Sequence, residues 1–142
     1  MNKQKILDDI FDESIDKVRD ALKNNKGLDI NFIDQKLNIS PLICAIDAVS
    51  PEIVELLLDN GANPNLMGSG MTLPLYHVIE LAEEAEDYKS PNVSKLLEIL
   101  KLHVAAGADP HLKNYNDTSA YEYAETRYLP AKQLFDSHLS TF

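Results

Sequence analysis

A second cysteine, any metal-ligand spacing and any long apolar run are missing from this 142-residue chain, and each absence closes off a class of function. Cys44 stands alone, so an internal disulfide is excluded and a reducing compartment is expected. It has no basic neighbour in sequence to favour its thiolate, which points to a buried, inert thiol. The opening residues Met1–Asp9 are polar and charged, unlike the apolar stretch of a secretory signal, and nothing approaches the ~20 apolar residues of a membrane span. A cytoplasmic protein is expected. In that compartment the Asn-x-Ser/Thr triplets starting at Asn38, Asn92 and Asn116 are chance occurrences.

The histidines also lack neighbours at metal-ligand spacing in the sequence. No H-x-x-x-H, C-x-x-C or H-E-x-x-H arrangement is present, and metal ligation needs partners at defined spacing. His77 reads as a packing residue, His103 as partly buried among Leu100, Leu102 and Val104, and His111 as a turn residue. Gly68-Ser69-Gly70 lacks the lysine that follows in a phosphate-binding loop. No catalytic, metal-binding or cofactor-binding residue is assigned, and the chain is expected not to be an enzyme. Basic residues are scarce as well: 13 against 23 acidic ones, for a net charge of −10. Such a surface repels nucleic acid and anionic membrane and attracts basic partners.

What the chain has is repetition. Asn60–Asn65 (N-G-A-N-P-N) recurs as A-G-A-D-P-H at Ala106–His111 and in worn form as K-G-L-D-I-N at Lys26–Asn31. In step with it, S-P-L-I-C-A at Ser40–Ala45 returns as L-P-L-Y-H-V at Leu73–Val78 and S-A-Y-E-Y-A at Ser119–Ala124. Pro41 and Pro74 are 33 residues apart. Pro74 to Ala120 is 46, as is Gly61 to Gly107, so both markers are displaced by the same 13-residue insertion within one repeat.

One repeat has a physical grammar. Ser40 is placed to cap a helix that Pro41 opens, and Leu42, Ala45, Ile46 and Val49 form its buried stripe. Ser50-Pro51 starts a second helix, apolar on more than one face at Ile53, Val54, Leu56, Leu57 and Leu58. Leu57 is expected to be buried between units. Gly61 ends that helix, and a turn-rich finger follows. The opening unit has helices near Gln4–Phe11 and Ser14–Asn25, with Asp8, Asp9, Asp12, Glu13 and Asp16 solvating an end face. The third has a long helix near Pro74–Asp87 and another near Asn92–Ala106, joined around Tyr88–Pro91. The last has helices near Ala120–Tyr128 and Ala131–Leu139. The acidic group Glu80, Glu83, Glu84, Glu86 and Asp87 reads as a solvated helix face at the insertion.

On these motifs the chain resembles the ankyrin-repeat family over nearly its whole length, in a small, free-standing form similar to bacterial members. The resemblance implies an all-α solenoid of about four helix–turn–helix units with finger loops. Their approximate bounds are 1–33, 34–66, 67–112 with the insertion, and 113–142. The third unit carries an extended helical hairpin. The resemblance further implies binding through a concave face of finger tips and the outer parts of the first helices. It carries that role to Ile33, Gln35 and Lys36, to Met67, Ser69 and Thr72, and to Lys113, Tyr115 and Asn116. On the helices it selects Asp47, Glu80, Glu84 and Arg127, beside Ala48, Leu81 and Thr126. Ile33, Met67 and Tyr115 would form an apolar spine at equivalent places, with Asp47 and Glu80 as an acidic rim. The expected partner is a protein, basic and toxin-like, which would make this chain an immunity protein. The alternative is a regulatory or effector scaffold acting on a host or housekeeping protein. No nucleic acid, membrane or cofactor is expected, and a monomer is favoured.

Overall fold

A computed structural model describes residues 3–68 and 73–139; Ser69 and Thr72 lie outside the described residues. Among the described residues eight helices follow in order: α1 (Lys3–Phe11), α2 (Ile15–Asn24), α3 (Pro41–Asp47), α4 (Pro51–Asp59), α5 (Pro74–Asp87), α6 (Val93–Ala105), α7 (Ala120–Arg127) and α8 (Leu129–Leu139). They pack as antiparallel pairs, α1 on α2, α3 on α4, α5 on α6 and α7 on α8. Odd-numbered helices stack in one row and even-numbered helices in a second. No pair can bury its apolar surface alone, so the core runs continuously from Ile6 and Leu7 to Ala131 and Phe135.

Local chemistry sets the ends of these helices. The Ser40 hydroxyl accepts from the Ile43 N–H at 3.1 Å, Ser50 from Ile53 at 3.3 Å and Ser119 from Glu122 at 3.0 Å. Leu73, at the equivalent position before α5, has no side chain that can cap. Gly61 and Gly107 both have φ +96°, the left-handed stop expected after α4 and α6.

The stripe ending at Val49 overruns the helix. α3 stops at Asp47, and Val49 is left-handed at φ +53°. Glu13 (φ +53°) and Lys89 (φ +54°) take the same conformation, each followed by a serine. At all three turns that serine's N–H returns to the preceding helix: Ser14 to the Asp9 carbonyl, Ser50 to Ala45 and Ser90 to Ala85. The turn thus marks the register. Val49 to Lys89 is 40 residues, seven beyond the period of 33, so seven inserted residues lengthen α5 and the other six follow the turn into α6. α5 has 14 residues where α3 has seven.

Asparagines join successive units at the finger bases. Asn31 donates from its amide to the Gly61 carbonyl (3.0 Å) and accepts from the Asn63 N–H (2.7 Å). Asn65 repeats this one unit on, to the Gly107 carbonyl (3.2 Å) and from the Asp109 N–H (2.8 Å). His111, the third copy, instead lays its ring against Tyr121 with centroids 4.9 Å apart.

Two side-chain placements depart from the sequence reading, and a third agrees with it. Asp9 is buried and paired with Lys5 at 2.9 Å, so it is not part of the solvated end face. His103 is fully buried, not partly. Leu57 is fully buried, as its position between units requires.

Candidate binding face and the overhang of α5

The first-row helices present Asp47, Glu80 and Glu84 as exposed carboxylates, with Ala48 and Leu81 half-buried beside them. Asp47 lies at the end of α3, and its Oδ1 sits 2.6 Å from His77 Nε2 on the neighbouring α5. His77 therefore links two units rather than simply filling space. The fingers are narrow. One is pinned by an isolated antiparallel bridge between Asp34 and Ile39, the other by a bridge between Lys113 and Ser119. Gln35 and Lys36 are exposed within the first turn, and Tyr115 and Asn116 within the second. Tyr115 is 63% exposed.

The apolar spine is not at equivalent heights. Ile33 precedes the bridging residue Asp34, at the finger base, and is half-buried. Tyr115 lies between the bridging residues of its own finger, at the tip. Met67 is half-buried, and Lys113 is exposed near Asp117 (3.6 Å) and Glu122 (3.9 Å).

Arg127 has an internal partner. Its Nε and Nη2 donate to Glu83 Oε1 at 3.0 and 2.8 Å, and the Tyr123 hydroxyl donates to Glu83 Oε2. Three residues on, Glu86 Oε1 accepts from the Tyr128 hydroxyl at 3.1 Å. Tyr123 also packs on Tyr76, with ring centroids 4.8 Å apart. Glu83 and Glu86 are thus not part of a uniformly solvated face: they brace the extended part of α5 against α7. Their spacing of three places both on one side of a helix, and Tyr123 and Arg127 share a helix side by the same rule. That regularity was the available signal. Nothing in it tells which carboxylates of a five-acid group find partners.

The ankyrin-repeat family profile matches residues 38–69. The murine B-cell lymphoma 3 protein homolog is 34% identical over 94 residues, which is 66% of this chain and 18% of that protein. The crystal structure of the ankyrin-repeat domain of Bcl-3, described as a unique member of the IkappaB protein family, superposes with a TM-score of 0.70 at 26% identity. That match covers 90% of this chain and 50% of the solved chain. The chain belongs to the ankyrin-repeat family. It spans about half of the solved Bcl-3 chain and less than a fifth of the murine relative.

In this ankyrin-repeat protein the electrostatics divide by helix side. The Tyr123 hydrogen bond, aided by Arg127, holds the Glu83 carboxyl below the usual range against its desolvation. Glu80 shifts upward, first because it is partly desolvated and then because Glu83 is near, with His77 opposing. Burial, with Asp47 and Asp8 adding to it, pushes the Cys44 thiol up to about 12, so it is a neutral packing residue. Among the described residues no group of three or more His, Cys, Asp or Glu is placed to hold a metal ion. No helix of the described residues is long and apolar enough to cross a membrane. The arrangement presents apolar contacts and carboxylates, which is the chemistry of recognition.

Proposed function

We infer that this chain is a protein-binding module without catalytic activity that holds a basic partner protein against its finger and first-helix face. The observation that carries this reading is the charge distribution. From Leu37 to Tyr88 there are nine Asp and Glu residues and no Lys or Arg, and Asp47, Glu80 and Glu84 of that stretch lie exposed on the first-row helices. Within that face this stretch carries one sign of charge, which steers an oppositely charged partner and rejects like-charged ones. The binding residues are Ile33, Gln35, Lys36, Asp47, Met67, Ser69, Thr72, Glu80, Glu84, Lys113, Tyr115, Asn116 and Arg127. Arg127 acts partly by holding Glu83. In its specific form the partner is a basic toxin and this chain its immunity protein.

Affinity purification from the native organism, with mass spectrometry of what co-purifies, tests the reading. A basic protein captured by the wild type and lost in the Met67→Ala/Tyr115→Ala variant supports it. A toxin-like reading frame beside the gene supports the immunity form. An isolated gene, with capture of a housekeeping protein, turns the reading toward a regulatory scaffold.

A further inference from the structure

The insertion leaves one flank of α5 without a neighbour. Seven residues longer than α3, α5 runs on by about 10 Å at 1.5 Å per residue. Its flank toward the closing unit is occupied, because Glu83 and Glu86 are engaged by Tyr123, Arg127 and Tyr128. On the opposite flank Leu81, Glu84, Ala85 and Tyr88 recur at i, i+3, i+4 and i+7, the spacing of a helix face made to pack. There the preceding helix has already ended, and the Ala48–Ser50 turn stands in its place. The result is a groove of about 290 Å³ with Val49 and Leu96 among its apolar walls. Tyr88 stands at its edge, 78% exposed. The charged groups lining it are Asp47 and Glu84, both carboxylates. One Asp47 oxygen is held by His77, which leaves the other available.

We propose that this step beside the α5 overhang docks a short basic segment of a partner protein, which seats one apolar side chain between Leu81, Val49 and Tyr88 and sets flanking Lys or Arg against Asp47 and Glu84. The groove, about 290 Å³, has room for an anchoring side chain. Burial of such an anchor supplies the adhesion, and the paired carboxylates select the sign of what flanks it. The nearest cation along the chain, Lys89, belongs to the turn after Tyr88 and does not line the groove. This site adds to the finger face and rests on the same reading of a basic protein partner.

The test uses the full chain and synthetic twelve-residue peptides. One carries a central leucine flanked by lysines, a second has serine for the leucine, and a third has glutamates for the lysines. The expected result is binding of the lysine–leucine peptide with amide shifts centred on Val49, Leu81 and Tyr88. Affinity should fall by about tenfold or more in Glu84→Lys and in Tyr88→Ala, both exposed positions. The serine and glutamate peptides should bind at least tenfold more weakly. The Met67→Ala/Tyr115→Ala variant should bind the peptide normally, which separates this groove from the finger face. No binding at millimolar peptide, equal binding of the serine or glutamate version, or affinity unchanged by both groove variants overturns the proposal.

Discussion

At the scale of single residues, the clearest demands come from backbone and burial rather than from charge. Gly61 and Gly107 share φ +96°, and a Cβ added at either would meet nothing within 4 Å. An alanine there suffers from conformation alone, at roughly 1–2 kcal/mol for a left-handed L-residue. Gly61→Ala and Gly107→Ala should therefore each lower unfolding stability in urea by about 1–2 kcal/mol, and by similar amounts. A variant as stable as the wild type would show that the helix end had rearranged.

His103 presents the opposite case. Its Nδ1 donates to the Ile99 carbonyl at 2.8 Å, while its Nε2 is buried with no partner. Desolvation lowers its pKa despite that hydrogen bond. The unfolded chain, titrating near 6.5, then binds more protons than the folded one below that pH. Stability is lost as pH falls from about 6.5 toward the lower folded value. One 46-residue offset earlier the same position is Leu57, fully buried. His103→Leu should raise stability at pH 7 by about 1–3 kcal/mol, the cost of an unsatisfied buried polar group. It should also flatten the decline between about pH 6.5 and 5. An unchanged pH profile would show that the carboxylates alone account for the acid limb.

At the scale of elements, the parts that were legible in the sequence are those fixed by short-range grammar. Proline after serine opens α3 and α4, glycine closes α4 and α6, and the apolar spacing marks Leu57 as an inter-unit residue. The end of α3 was not legible, because Val49 continues an apolar period while its backbone leaves the helix. A β-branched residue at positive φ is disfavoured, and only the surrounding packing makes it adopt that conformation. The fate of the acids at the insertion was also hidden: spacing puts Glu83 and Glu86 on one side, but Tyr123, Arg127 and Tyr128 come from some 40 residues away. Finger residues could be placed in turns from sequence, yet their heights depend on bridges that no local pattern announces. The asparagine ladder belongs to this scale too. Asn65 makes one bond to the unit after it through its oxygen and one through its amide, whereas His111 has no following glycine to meet. Asn65→Ala should cost about 1 kcal/mol for these solvent-exposed bonds, and His111→Ala less. Amide exchange should quicken at Asp109 in the first variant alone, because its N–H loses the Asn65 acceptor.

For the whole molecule, the stack separates what holds it together from what it presents. The two rows of helices share one apolar core, so each unit is stable only through its neighbours. Exposed carboxylates of the middle stretch, Glu80 and Glu84 among them, then act at a distance. Exposed charges act on one another over about 8 Å at physiological salt and about 30 Å at 0.01 M, so a steering field is strong at low salt and largely screened in the cell. If the bound protein is basic, its association rate should fall steeply between those two conditions while dissociation changes little. Glu80→Lys with Glu84→Lys reverses two charges on the proposed face and should reproduce that loss at low salt, lowering the on-rate more than it raises the off-rate. The desolvation that raises the Glu80 pKa adds a second handle, since acidification neutralises this carboxylate before one of ordinary pKa and should weaken steering in the wild type more than in the double variant. Stopped-flow association at two ionic strengths and two pH values measures both effects. Rates that ignore salt, pH and charge reversal alike would leave apolar complementarity at Met67 and Tyr115 as the source of recognition.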